Sequence, residues 1–415
     1  MDTRIDMYKE ITCCRVCAAS DLVTVLSLGR QALTGTFPKH KDDSVSRGPL
    51  DLLWCSHCGL LQLKQSYNPL EMYGENYGYR SGLNADMVRH LQRKIAMLER
   101  MAKPGKHEYV LDIGSNDATS LKAYSAPCVR VGIDPTGNKF RQFYDKDIHL
   151  VPDFFSAAAF SAAFPGAQCK IITSIAMFYD LESPLAFVKD ITALLADDGI
   201  WHFEQSYMPS MLRTNAYDTI CHEHLEFYSF SVVKYILESC GLRIVDVQTN
   251  AVNGGSFAVT ACKDAAPYRS NLPVINWLLK QEKNMGLDTP RPYRDFETRV
   301  FQHRNDLKEL LASLVADKKT ILGYGASTKG NVLLQLCGIG PSQLQYIAEV
   351  NEEKFGSFTP GTLIPIISEQ EAFAMKPDYF LVLPWHFRYG ILEKHQQFLA
   401  EGGKFIFPLP EIEII

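Results

Sequence analysis

No run in this chain approaches the ~18 consecutive apolar residues that a membrane-spanning helix needs. The opening stretch, Met1-Asp-Thr-Arg-Ile-Asp-Met-Tyr-Lys-Glu10, places charges where a secretory leader would have its apolar core. Positive charge is not in excess either. Lys and Arg number 42 against 47 Asp and Glu, a formal net charge of -5, which argues against a nucleic-acid surface but allows a local basic pocket. Three signatures are also missing: the Walker A spacing, the three-glycine dinucleotide fingerprint and His-Glu-x-x-His. Their absence makes an NTPase, a pyrophosphate-clasping cofactor loop and a helical zinc protease poor readings. The expectation is a cytoplasmic protein with neither membrane nor nucleic acid as partner; its oligomeric state is open.

What is present is the balance of a folded globular chain, 46% hydrophobic and 21% charged over 415 residues, enough for two to three domains. Texture changes twice. Residues 1–85 are rich in Cys, Gly and Tyr. Residues 86–265 alternate apolar strands with amphipathic helices, and residues 266–415 begin a second strand-loop-helix series at Thr320–Tyr324 after a long helix around 296–314. That alternation predicts an α/β protein with doubly wound, mostly parallel sheets.

Eleven cysteines without a leader point to metal binding or core packing rather than disulfides. Cys14-Arg-Val-Cys17 and Cys55-Ser-His-Cys58 are two Cys-x2-Cys turns. Each turn sets two thiolates at adjacent corners of a tetrahedron, so together they close a four-thiolate Zn2+ site with a structural role. Cys128, Cys169, Cys240, Cys262 and Cys337 read as core residues.

Asp112-Ile-Gly114-Ser-Asn116-Asp117-Ala118 follows a strand, and Asp134 ends the next one. An acid at that position accepts hydrogen bonds from ribose hydroxyls. With no glycine triplet for a pyrophosphate, S-adenosylmethionine fits better than NAD. A second loop, Gly323-Tyr-Gly325-Ala-Ser327-Thr328-Lys329-Gly-Asn331, opens a helix whose N-terminus, hydroxyls and lysine suit an anion such as a diphosphate; an ordinary strand-to-helix turn is an equal reading. Between them, Tyr217 to Tyr228 concentrates acid, base and aromatic groups around Cys221-His222-Glu223-His224. A base cluster, a metal site and a hydrogen-bonded turn are its three competing readings. Tyr77-Gly-Tyr79-Arg80-Ser81 forms a second polar-aromatic loop.

In this order, the two cysteine knuckles, the Tyr-x-Tyr loop, Gly-Ser-Asn-Asp, Cys-His-Glu-His and Gly-Tyr-Gly-Ala-Ser-Thr-Lys-Gly-Asn resemble the S-adenosylmethionine-dependent sugar C-methyltransferases that act on nucleotide-linked deoxysugars. The resemblance spans almost the whole chain. It implies a zinc-binding N-terminal domain, a central methyltransferase domain and a C-terminal Rossmann-like domain that binds the nucleotide sugar, on dTDP or GDP. It further implies methylation of C3 beside a 4-ketone. Cys14, Cys17, Cys55 and Cys58 would take zinc; Asp112, Gly114, Asn116, Asp117 and Asp134 would meet the methyl donor. Glu223 would orient His224 as base, Tyr77 or Tyr79 would assist at the ketone, and Ser327, Thr328, Lys329 and Asn331 would hold the phosphates. Two departures stand out. Ala118 replaces a glycine of the family, with a slight shift of the donor as the expected result, and Met177 stands where many relatives carry a histidine. Rival classes are an O- or N-methyltransferase, an NAD-linked nucleotide-sugar oxidoreductase and a noncatalytic zinc-containing assembly module.

Overall fold

The computed structural model describes residues 8–68, 72 and 80–415. Tyr77 and Tyr79 lie outside the described residues. Among those described, no helix is long and apolar enough to cross a membrane.

Three large sheets organise the chain, and a two-stranded antiparallel pair, Tyr8–Glu10 with Gln65–Tyr67, makes a fourth among the described residues. The first is antiparallel and four-stranded, in the order Glu226–Phe227, Leu61–Leu63, Arg47–Cys55, Leu22–Ala32. Its two long strands alternate buried and exposed residues only in part, because one face is covered by the C-terminal region and the knuckle end by the central one. The central sheet has seven strands in the order Leu242–Asn250, Ser256–Lys263, Leu195–Ser206, Cys169–Ile175, Tyr109–Ile113, Val129–Ile133, Ile148–Val151. Only Ser256–Lys263 runs against its neighbours. The third sheet has six strands, Ile366–Ser368, Ile347–Glu349, Ile321–Tyr324, Tyr379–Val382, Lys404–Phe407 and Glu413–Ile414, the last antiparallel. In the two α/β sheets the chain moves outward from the first strand in one direction and then crosses back to its other side. That reversal opens a crevice at the carboxyl ends of the strands, where doubly wound sheets hold ligands.

The small N-terminal sheet has no core of its own. Leu26, Leu50, Leu52, Trp54 and Leu61 share one buried cluster with Val300, Leu307, Leu333 and Ile347 of the C-terminal part. Cys14, Val16, Cys55 and Leu60 instead join the central core beside Phe178, Trp201 and Tyr228. Polar contacts repeat the message: Gln335 Oε1 accepts from the Ala32 backbone at 2.7 Å, and Asn331 Nδ2 donates to the Thr34 carbonyl at 2.8 Å.

The boundary expected at 265/266 falls in coil, yet the helix beyond it, Leu272–Asn284, packs on the central layer through Ile275 and Leu278. Its Glu282 is buried and accepts from Phe230 N at 2.5 Å, Ser231 N at 2.8 Å and the Tyr207 hydroxyl at 2.8 Å. A carboxylate there satisfies two otherwise unbonded N–H groups at the start of helix Phe230–Ser239 and complements its dipole.

Candidate active site

A cavity of about 400 Å³ opens at the switch point of the central sheet and gathers residues from distant parts of the sequence. One end is the loop after Tyr109–Ile113. Gly114 adopts φ +70°, a left-handed turn that glycine accepts without strain, and its N–H closes on Ile133 O at 2.9 Å. Asn116 N then donates to Asp134 Oδ2 at 2.8 Å, while Asp134 Oδ1 accepts from Thr136 N and Oγ1, both at 2.6 Å. Asp134 is thus clamped at the strand end with its carboxylate on the cavity wall. Asp112, also on the wall, accepts from Thr173 Oγ1 at 2.6 Å; burial pushes its carboxyl up to about 7.

The neighbouring Asp117 is placed differently. Its side chain accepts from Gly82 N at 2.9 Å and Thr119 Oγ1 at 2.5 Å and lies 3.7 Å from Arg80 Nε, off the cavity wall. Asn116 Oδ1 likewise accepts from Ser81 N at 3.0 Å. These two side chains tie down the segment that follows Tyr79, and Asp117 does so instead of facing the donor. Ala118 takes φ +61° and is fully buried in the core with Leu98 and Leu121, so its methyl points into packing and does not displace a ligand. Met177 lies against Gly114 and lines the cavity as a thioether that carries no proton.

The middle of the cavity is built by the 217–228 segment. Leu225 N donates to Tyr179 O, and Leu63 N donates to Leu225 O, both at 2.8 Å, so this segment is stitched to both the central domain and the small sheet. His224 Nδ1 sits 2.8 Å from the Thr219 carbonyl. A carbonyl only accepts, so Nδ1 carries the proton and Nε2 is left with a free lone pair on the cavity side. The group that orients His224 is therefore the Thr219 carbonyl and not Glu223. Burial and the nearby Lys329 cation push the imidazole down to about 3. Tyr179 packs against its ring at 4.4 Å between centroids.

Glu223 lines the cavity separately. Thr34 Oγ1 donates to it at 3.4 Å, and burial pushes its carboxyl up. A Cβ on Gly35 would lie 2.6 Å from Glu223 Oε1, which is why the approaching loop of the small domain carries glycine there. His222 faces the other way, edge-on to Tyr67 at 4.7 Å.

The C-terminal loop contributes Thr328 and Lys329 to the same cavity, with Lys329 Nζ donating to Asn253 O at 3.1 Å. Ser327 and Asn331 are occupied elsewhere. Ser327 Oγ caps its helix by accepting from Gly330 N at 3.0 Å, and Asn331 reaches the Thr34 carbonyl. Neither lines the cavity.

The four cysteine sulfurs Cys14, Cys17, Cys55 and Cys58 lie within 4.8 Å of one another and form the one candidate metal cluster among the described residues. Ala18 N donates to Cys14 O and Gly59 N to Cys55 O, the backbone bonds that close each knuckle. Contact between the Cys14 and Cys58 sulfurs pulls the Cys14 thiol down and pushes Cys58 up. Four sulfur donors at these spacings suit tetrahedral zinc, whose charge would hold all four as thiolates.

Several site residues carried no sequence signal. Thr219 acts through its carbonyl, which every residue has. Glu204 and Gln205 lie near the end of the strand Leu195–Ser206, a buried polar pair after Ile200–Phe203 that could have been noticed. Burial alone would raise Glu204, but His90 at 2.6 Å and Lys94 at 2.9 Å outweigh it and hold the carboxylate at about 2; Asn250 Nδ2 donates to it as well, at 2.9 Å.

A clamped acid, a tight glycine turn and an imidazole share one crevice, and the comparisons with known proteins define the chain as an S-adenosylmethionine-dependent methyltransferase. Family profiles match a zinc binding domain at 14–73, a methyltransferase domain at 84–247 and a C-methyltransferase C-terminal domain at 251–410. The chain is 32% identical to the C-methyltransferase NovU of Streptomyces niveus over 414 residues, covering 99% of this chain and 98% of that one. It belongs to this family of three-part C-methyltransferases. Solved structures with some likeness include the magnesium protoporphyrin IX methyltransferase ChlM of Synechocystis PCC 6803, 13% identical over 43% of this chain and 79% of that one with a TM-score of 0.32. Another is the plantazolicin methyltransferase BpumL, 13% identical over 44% and 87% with a TM-score of 0.35. Likenesses this distant bear on neither chemistry nor acceptor.

Proposed function

We propose that the acceptor is a nucleotide-linked 4-keto-deoxysugar, on dTDP or GDP, and that the methyl group is attached to C3 beside the ketone. The observation that carries this reading is the free Nε2 of His224, set in one cavity with the clamped Asp134 and the Lys329 cation. A C–H bond next to a ketone needs a positioned base before it can react with an electrophile, and an uncharged imidazole in a dry site is one. S-adenosylmethionine supplies the electrophilic sulfonium methyl.

The chain's residues divide the rest. Asp134 and the Gly114 turn hold the donor's ribose end. Lys329, beside the N-terminus of helix Thr328–Cys337, pairs with the acceptor's diphosphate. That pairing has a second effect: it cancels part of the positive charge that holds His224 down, so the base strengthens when the acceptor arrives. Glu223, whose carboxyl burial pushes upward, lines the same cavity and in its protonated form would donate an O–H to the oxygen that becomes an enolate. The zinc held by Cys14, Cys17, Cys55 and Cys58 is structural, because none of the four lines the cavity.

The test uses wild type and His224→Asn with S-adenosylmethionine and a panel of nucleotide 4-ketosugars. Wild type is expected to add one methyl to a carbon, recognised by NMR as a methyl without an attached-oxygen shift. A folded His224→Asn is expected to lose about 10²–10⁴-fold in turnover and in enzyme-dependent solvent deuterium exchange at C3. Exchange at the wild-type rate removes His224 as the base, and an O- or N-linked methyl replaces the reading altogether.

A further inference from the structure

Gln205 ends the strand Leu195–Ser206, two strands from the donor's Gly114–Asp134 end, and lies on the wall of the same cavity. It is 1% exposed. Its amide nitrogen and amide oxygen both lack a hydrogen-bond partner among the described residues. The contrast with its neighbour is sharp, since both carboxylate oxygens of Glu204 are engaged, by His90, Lys94 and Asn250. A buried primary amide without partners costs stability, and natural cores pair such groups. One that persists on the wall of an active-site cavity is kept for what enters the cavity.

The position selects the ligand. The donor's contacts lie at the ends of strands Tyr109–Ile113 and Val129–Ile133. Gln205 lies on the opposite side of the switch point, where Asn253 and Ser256 also line the wall and the Asn253 carbonyl anchors Lys329. This is the acceptor's side. An uncharged amide, able to donate and accept at once, matches an uncharged oxygen substituent and not a phosphate, whose charge Lys329 serves.

We propose that Gln205 is a specificity-determining residue that hydrogen-bonds a hydroxyl or keto oxygen of the acceptor's sugar ring. The inference rests on the ketosugar reading above. A site built to hydrogen-bond an oxygen rejects analogues lacking it much more strongly than an apolar pocket rejects an added group, because its own polar atoms are then left unpaired.

Gln205→Leu separates this role from a framework role by opposite signs. The leucine is close in volume and removes the unpaired amide, so the melting temperature of the variant is expected to equal or exceed that of wild type. Its kcat/KM for dTDP-4-keto-2,6-dideoxyglucose is expected to fall about 10- to 100-fold, while S-adenosylmethionine affinity by calorimetry stays within about twofold. An unchanged acceptor kcat/KM overturns the inference. So does a joint fall of melting temperature, donor affinity and acceptor turnover, which would make Gln205 part of the framework. If wild type itself binds S-adenosylmethionine yet methylates no nucleotide 4-ketosugar, the ketosugar reading fails and takes this inference with it.

Discussion

The two strand-loop-helix units of this protein share a backbone pattern and differ in what they do with it. In the central domain, Gly114 N bonds Ile133 O, and the next residue but one, Asn116, donates its N–H to Asp134 at the end of the second strand. In the C-terminal domain, Gly325 N bonds Ala348 O at 2.7 Å and Ala326 N donates to Glu349 Oε2 at 2.9 Å. Each acid then accepts from the backbone two residues ahead, Thr136 in one case and Asn351 in the other. Yet Asp134 lines the active-site cavity, while Glu349 does not line it. Lys354 closes the second site: its Nζ donates to Ala326 O at 2.7 Å, lies 3.9 Å from Glu349 Oε2 and sits over the Phe37 ring of the small domain. The same turn therefore borders the cavity in one place and is an internal joint in the other. What the C-terminal loop sends to the active site is the first turn of its helix, Thr328 and Lys329.

The sharpest way to break this comparison is to remove the two acids in parallel. Asp134→Ala is expected to weaken S-adenosylmethionine binding by about 10- to 100-fold, the worth of a charged hydrogen-bond acceptor. Glu349→Ala should leave donor affinity unchanged but cost about 1–3 kcal/mol of stability, because the N–H groups of Ala326, Val350 and Asn351 lose their acceptor. Calorimetry and thermal melts read the two effects separately. Equal loss of donor affinity would mean that both loops bind nucleosides.

A smaller effect is expected at Lys329. Lys329→Met should raise the acceptor KM about tenfold, one charge-assisted contact, with donor affinity unchanged. Steady-state kinetics with each substrate varied in turn checks it. Parallel losses for both substrates would return Lys329 to a packing role.

The smallest effect is in stability against pH. His224 and His386 are held down to about 3, first by burial and then by Lys329; the Asp218 carboxyl is raised by burial, with Lys329 opposing. A histidine whose folded pKa lies below its unfolded 6.5 loses the native state stability as pH falls through that window. An acid with a raised folded pKa does the reverse. Removing the cation lets the two histidines rise and Asp218 rise further, and both changes favour the protonated native state. Lys329→Met should therefore gain stability relative to wild type as the pH falls below about 5 towards about 3, where the native-state histidines titrate, read as a narrowing or reversing difference in melting temperature.

Much of this site was legible in order but not in orientation. The strand ending at Ile113, its acid partner Asp134, the paired knuckles and the Cys-His-Glu-His segment all announce themselves through apolar periodicity and fixed spacing. Orientation is different. Asp117 and Asn331 looked like ligand contacts because they sit in ligand-binding loops, but each turns its side chain to a backbone group brought from another domain, Gly82 in one case and Thr34 in the other. Ser327 obeyed a purely local rule, since a serine before a helix caps it.

By itself, the sequence determined the two doubly wound sheets, the four-thiolate knuckles and the meeting of the Gly114 loop with the strand end at Asp134. These follow from hydrophobic period, short-range turn chemistry and donor identity, all of which act within a few residues. Only the tertiary structure decided which loop is open, which tautomer His224 holds and which polar groups are left for a ligand. Those properties depend on which groups the fold brings into contact: the Thr219 carbonyl at His224, the Thr34 hydroxyl at Glu223 and the Thr34 carbonyl at Asn331, and no hydrogen-bond partner among the described residues at the amide of Gln205. Hydrogen bonding and desolvation act over contact distances, and in a chain folded into three interlocked sheets those distances join residues far apart in the sequence.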